Sequence, residues 1–163
     1  MDSDLIELAR RYAEHRGLLL GPALGEGIHG IVLRAKHHQK PAEIAIKFHT
    51  DPDPFRREVA VYEKLRWREV VDICGLNVPQ FLHSDPAFRA LEMTIVARPF
   101  VLDFAAAYIE DAPVFAAEVM ADWESEKREQ FGPQWPTVQR ILSELRAMGI
   151  HQTDVSPRNI GFE

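Results

Sequence analysis

The sequence predicts an α+β fold in which a small antiparallel sheet is followed by a mostly helical segment. Two observations support this prediction. Residues 30–38 and 42–49 alternate β-branched and polar side chains on either side of the polar turn HHQKP, as neighbouring strands do. Later segments space their apolar residues three or four positions apart, which is typical of one face of a helix. The 163 residues are enough for one domain, or slightly more, with a real core.

Charge and cysteine content narrow the classes of partner and compartment. The net charge of −6 argues against a nucleic acid or an anionic membrane as a partner held by bulk electrostatics. A single cysteine, Cys74, excludes an internal disulfide and fits a reducing compartment. The first residues are charged, unlike a signal peptide, and the sequence has no apolar run of about 18 residues. We therefore expect a cytoplasmic protein with no nucleic-acid partner and no membrane partner.

The elements of the first half can be taken in order. Residues 1–17 form a predicted helix, in which Asp4 and Glu7 can make a capping pair and Gly17 ends the helix. The segment LLLGPALGEG leads into the two alternating strands, and the helix DPDPFRREVAVYEKLRWREV follows. Two more strands, VPQFLHS and ALEMTIVARPF, bring the predicted sheet to five strands. We assign residues 18–98 to this unit.

The second half is predicted to be helical from Asp103 onward. A broken pair of helices follows that residue, divided near residues 111–113. A last helix then runs from Pro136 to a cap at Gly149, with its apolar residues on one face. We assign residues 99–163 to this second unit.

Three glycines, Gly25, Gly27 and Gly30, form a G-x-G-x-x-G pattern. In a dinucleotide-binding loop these glycines lead straight into a helix. Here residues 31–33 are Ile-Val-Leu, so the glycines lie in a β-hairpin. Glycines in such a hairpin allow backbone N–H groups to approach phosphate oxygens without a clash from Cβ. The alternative is an ordinary tight hairpin, which needs only one or two glycines.

Lys47 occupies an inward position between apolar neighbours in EIAIKF. A buried ammonium needs an anionic partner, and a phosphate together with a carboxylate would satisfy it. The alternative is an edge lysine whose head group reaches solvent. The next helix offers two carboxylates, Glu58 and Glu63, and each could instead be a solvated helix charge.

In this order the features resemble the protein-kinase-like family, which includes protein kinases and small-molecule phosphotransferases. The family's signature is a G-x-G-x-x-G-x-V hairpin, a lysine on the third strand, a glutamate on the next helix and a late D-x-x-x-x-N loop. The matching positions in this chain are Gly25, Gly27, Gly30, Val32, Ala45, Lys47, Asp154 and Asn159. The resemblance covers roughly residues 18–163. It implies a two-lobe fold, with a five-stranded antiparallel N-lobe sheet and a shortened helical C-lobe.

The resemblance also implies a nucleotide-binding role for the first lobe. The glycine hairpin and Lys47 would bind the phosphates of ATP, and Val32 and Ala45 would cover the adenine. Glu58 would pair with Lys47, and Glu63 is the second choice because the spacing from Lys47 to Glu58 is short.

The late loop carries the catalytic roles that the resemblance implies. Asp154 would accept or orient the proton of a hydroxyl nucleophile, and Asn159 would supply an amide oxygen to Mg²⁺. The alternative is an ordinary turn, which both residue types favour. The sequence ends at Glu163, before the D-F-G aspartate that the resemblance would place later, so we expect a weak Mg²⁺ site.

Two functions remain open at this stage. The first is an ATP-binding phosphotransferase that acts on a protein or small-molecule hydroxyl. The second is a catalytically inactive pseudokinase that serves as a nucleotide- or protein-binding module. Helix faces left uncovered by a shortened C-lobe favour a protein partner or a homo-oligomer.

Overall fold

The computed structural model describes residues 3–163. The four helices are α1 (Ser3–Arg16), α2 (Pro52–Trp67), α3 (Ala117–Phe131) and α4 (Trp135–Ala147). The longer strands are β1 (Leu18–Gly27), β2 (Gly30–His37), β3 (Glu43–His49), β6 (Phe81–Asp85) and β7 (Ala90–Thr94). The two-residue strands are β4 (Asp72–Ile73), β5 (Leu76–Asn77), β8 (Phe100–Val101), β9 (Tyr108–Ile109), β10 (Ile150–His151) and β11 (Ile160–Gly161).

The five longer strands form one antiparallel sheet in the order β1-β2-β3-β7-β6. Gly27 pairs with Gly30 at the tip of the first hairpin, and Lys47 on β3 pairs with Leu91 on β7. The mixed α+β class and the five-stranded antiparallel sheet are therefore confirmed. Each strand of the pair β2–β3 alternates side chains between the two faces of the sheet, as the sequence pattern predicts.

Helix α1 covers one face of the sheet. Its apolar side chains pack on alternate residues of β2, β3 and β7 in one buried cluster. The buried Tyr12 hydroxyl donates to Glu92 Oε1 at 2.7 Å, and Arg16 Nε lies 3.1 Å from the same oxygen. This contact fixes α1 to the sheet because the buried Glu92 carboxylate is satisfied by both partners.

The opposite face of the sheet, which we name the cleft face, carries Ala45, Lys47, His49, Leu91 and Met93. Helix α2 packs against this face. The apolar cluster that begins there continues through α2 to α4, whose apolar residues lie on one face, as predicted, and are buried: Trp135, Val138, Ile141, Leu142 and Leu145. The short strands form a four-stranded sheet, β11-β8-β5-β4, and a two-stranded one, β10-β9.

The segment between β8 and α3 differs from the prediction. Residues 104–116, predicted to begin a broken pair of helices, contain turns and β9 but no helix, and α3 begins only at Ala117. Ile109 pairs with Ile150 on β10, and Glu110 N–H donates to Gly149 O at 2.8 Å. These contacts use backbone groups that a helix would need, so tertiary pairing overrides the helical propensity of FAAAYI.

Within residues 3–163, none of the helices combines the length and apolar character needed to cross a membrane.

Candidate functional site

A concave site of about 800 Å³ lies against the cleft face of the sheet. It is lined by the glycine hairpin, by β3 and α2, by residues 95–103, and by the late loop after β10. All the site residues that the sequence predicts line it: Gly25, Gly27, Gly30, Val32, Ala45, Lys47, Glu58, Asp154 and Asn159. The topology therefore brings together side chains that lie more than one hundred residues apart in the sequence.

The fold does not require glycine equally at the three positions of the hairpin. Gly30 has a φ of +143°, and a Cβ there would lie 1.9 Å from Phe48 O, so the sheet itself requires glycine at this position. A Cβ at Gly25 or Gly27 would meet nothing within 4 Å, and neither residue has a positive φ. The fold thus explains one glycine only. The other two leave open space beside exposed backbone that lines the cleft.

Lys47 is buried, with 4% of the residue exposed, and lies between two carboxylates. Its Nζ is 2.8 Å from Glu58 Oε2 and 2.8 Å from Asp103 Oδ1. Burial opposes the charged form, but the attraction of Glu58 and Asp103 outweighs it, and the pKa of the ammonium is raised. Lys47 is therefore a charged group fixed at the inner wall of the cleft, and the edge-lysine alternative does not hold.

Glu58 is the partner of Lys47 on α2, and Glu63 is exposed on the same helix. The second oxygen of Glu58 accepts a hydrogen bond from Phe104 N–H at 3.1 Å. Burial opposes ionisation of this carboxyl. The charge of Lys47 and the hydrogen bond from His49 outweigh that effect and lower the pKa of Glu58 to about 2. The carboxylate is therefore ionised at neutral pH.

His49 supports Glu58 from within the sheet, and the sequence reasoning missed it. Its Nε2 lies 2.6 Å from Glu58 Oε2, and its Nδ1 lies 3.2 Å from Arg89 O. Both partners are acceptors, so both hydrogen bonds form only when the imidazole carries two protons. The signal in the sequence was the two-residue spacing from Lys47, which places His49 on the same face of β3.

Asp103 is the second residue that the sequence reasoning missed. It has a φ of +64°, a conformation that Asp tolerates better than most residues. Gln152 Nε2 donates to Asp103 O at 2.7 Å, and Thr153 Oγ1 donates to Ala106 O at 2.6 Å. These two residues immediately precede Asp154, so the late loop and the Asp103 segment are held together. No periodic pattern marks an isolated aspartate in an irregular segment, which explains why it was missed.

The late loop carries Asp154 and Asn159. Asp154 is exposed at the cleft. Asn159 is buried and its Nδ2 donates to Asp154 O at 3.1 Å, while Leu102 N–H donates to Asn159 O at 2.9 Å. The amide nitrogen of Asn159 thus closes its own loop, and this is the turn role that the sequence left as an alternative. Its amide oxygen is the end of the group that suits Mg²⁺.

The backbone of residues 97–100 is partly used by β5. Asn77 Nδ2 donates to Ala97 O at 3.0 Å, and Asn77 N–H donates to Pro99 O at 2.8 Å. Pro99 has no N–H group. Residues 97–100 therefore have few free backbone groups that could form hydrogen bonds with a planar ligand.

The cleft contains oxygen donors of the type that Mg²⁺ prefers, in Asp103, Asp154 and Asn159. In the described part of the chain, however, no three His, Cys, Asp or Glu side chains are grouped so that they could hold a metal ion. A Mg²⁺ ion in this cleft would depend on the phosphate oxygens of a ligand for most of its coordination.

In comparisons with known proteins, the sequence matches no family model and no curated protein.

Proposed function

We propose that the chain is a kinase-like ATP-binding protein with a two-lobe fold, in which the cleft binds Mg²⁺ and ATP between the lobes. The observation that carries this proposal is the convergence of the glycine hairpin, the buried Lys47–Glu58 pair and the Asp154–Asn159 loop in one cleft. The open space at Gly25 and Gly27 supports it further, since the fold does not require glycine at either position.

In this proposal the phosphates lie against the glycine hairpin and Lys47. Val32 and Ala45, which line the cleft on neighbouring strands, pack on the adenine. The 800 Å³ volume falls within the range of small-molecule sites. The adenine edge makes few backbone contacts at residues 97–100 because Asn77 and Pro99 reduce the groups on offer.

The catalytic half of the proposal is phosphate transfer to a hydroxyl of a protein or a small molecule. Asp154 accepts or orients the hydroxyl proton, and its exposure at the cleft leaves room for a substrate. Asn159 would hold a bound metal ion through its amide oxygen, and the ion would supply charge compensation for the phosphates.

Calorimetric titration with ATP and Mg²⁺ tests the binding half. Lys47→Met should weaken binding by about 1–3 kcal/mol, the range for a charge-assisted contact. Lys36→Met is the matched control, because Lys36 is exposed on β2 and does not line the cleft. Folded protein that shows no binding at millimolar ATP would exclude this function.

A pseudokinase that binds a protein partner is the second candidate. Apolar side chains are exposed on α3 and just before it, and this observation favours a partner: Val114, Phe115, Val119 and Met120. Asp154→Ala separates the candidates, since it should abolish phosphate transfer and spare ATP binding if the chain is an enzyme. Light scattering after size exclusion would detect a homo-oligomer.

A further inference from the structure

The two carboxylates on Lys47 differ in how accessible they are. The Glu58 side chain is 1% exposed and is held by His49 and by the backbone of Phe104. The Asp103 side chain is 30% exposed and faces the cleft. An arriving ligand can therefore displace or neutralise Asp103 but not Glu58.

The charge of Lys47 is already compensated in the free protein. The ammonium forms ion pairs with two carboxylates, those of Glu58 and Asp103. A phosphate that reaches Lys47 would add negative charge beside Asp103, which holds the same ammonium at 2.8 Å. Two negative groups that share one ammonium repel each other strongly in a site partly shielded from water. Metal-free polyphosphate is consequently disfavoured.

The backbone of Asp103 is held in place, so only its side chain can move when a ligand enters the cleft. Gln152 holds the carbonyl oxygen, while the carboxylate is held by Lys47 and by a longer contact of 3.4 Å from Ala105 N–H. Nearby, the Tyr62 hydroxyl is buried at the cleft wall without a hydrogen bond of normal geometry. Burial and the charges of Glu58 and Asp103 raise the pKa of Tyr62, so the hydroxyl stays protonated. The inner wall therefore contains an unused donor for an incoming or displaced oxygen.

We propose that Asp103 is a specificity-determining residue, which makes the cleft select a nucleoside polyphosphate complexed with a divalent cation over the metal-free form. The inference rests on the proposed ATP-binding function. The Asp103 carboxylate pairs with Lys47 in the free protein and repels a phosphate whose charge no cation neutralises. A cation that arrives with the phosphates neutralises the added charge and removes the repulsion.

The test compares ATP binding in Mg²⁺ with ATP binding in EDTA, by calorimetry, for the whole 163-residue chain. The unmodified protein should bind metal-free ATP at least tenfold more weakly than the Mg²⁺ complex. Asp103→Asn should reduce this ratio about tenfold, mainly by strengthening metal-free binding. Asp103→Gly should do the same and suits the φ of +64°, so the test does not depend on one variant folding.

A control variant separates this contact from general electrostatics. Asp111→Asn removes the same charge from an exposed position that does not line the cleft. This variant should leave the ratio near that of the unmodified protein.

The outcomes distinguish the two proposals. A ratio that is unchanged in both Asp103 variants, or equally reduced by Asp111→Asn, overturns the role of Asp103 and leaves ATP binding intact. Absence of any binding in folded protein, with or without Mg²⁺, overturns both proposals.

Discussion

Replacing Lys47 with Met should destabilise the fold, although the change removes a buried charge. Met keeps most of the side-chain volume, so the main effect is the loss of the ammonium that lies 2.8 Å from Glu58. The carboxylate is 1% exposed and would keep only His49 and Phe104 N–H as partners. Removing one member of a buried ion pair costs roughly 3–5 kcal/mol because the other charge stays buried.

The pKa of Glu58 gives a second route to this magnitude. A fall from 4.5 to about 2 corresponds to roughly 3 kcal/mol of folding free energy. Because the folded pKa is lowered, this stability is present above pH 4.5 and is lost as the pH falls towards 2. Lys47→Met removes the main attraction that lowers this pKa, so the variant should lose less stability on acidification than the unmodified protein.

Urea denaturation between pH 7 and pH 3 measures both effects. Lys47→Met should lose about 3 kcal/mol at pH 7, and the double variant with Glu58→Gln should recover part of the loss since no charge remains unpaired. Lys36→Met, at an exposed position on β2, should change stability by less than about 0.5 kcal/mol. A Lys47→Met protein as stable as the original, with the same acid dependence, would refute this account of the pair.

Three further variants test the glycine hairpin and the attachment of α1. Gly30→Ala should cost roughly 3 kcal/mol or more, because its Cβ would lie 1.9 Å from Phe48 O, and wild-type thermal stability would contradict the packing described. Gly27→Ala should leave stability within about 0.5 kcal/mol of the original, since the added Cβ would meet nothing within 4 Å. Calorimetry of the same variant should show weaker ATP binding. Tyr12→Phe should cost about 2 kcal/mol in urea denaturation by removing the 2.7 Å hydrogen bond to Glu92, and an unchanged midpoint would show that this hydrogen bond does not hold α1 in place.

The sheet could be predicted because its strands carry a local period. Alternation around HHQKP sets which face each residue of β2 and β3 occupies, and it places Lys47 inward on its strand. The same period places His49 beside Lys47, so this residue was within reach of sequence reasoning.

The segment after β8 could not be predicted in the same way. Its conformation depends on hydrogen bonds with residues far away in sequence, among them Glu58, Gln152 and Gly149. Local propensity favours a helix in FAAAYI, and only the tertiary partners explain why none forms. Asp103 lies in this segment, so its contact with Lys47 could not be foreseen either.

The geometry bears unequally on the two halves of the proposed function. For nucleotide binding, the purely structural explanations of the site residues do not hold. Lys47 is buried and paired rather than at a solvated edge, and Glu58 is not a surface charge. The fold requires glycine at only one of the three hairpin positions. For catalysis, the explanation of Asn159 as an ordinary turn residue still holds, because its amide nitrogen donates to Asp154 O within the same loop. An active enzyme would therefore need the nucleotide phosphates, rather than a preformed group of side chains, to complete the metal site. The Mg²⁺ concentration needed for activity should therefore be set by the binding of the nucleotide. Because we propose that the contact between Asp103 and Lys47 controls that binding, the same contact should affect the Mg²⁺ dependence of activity.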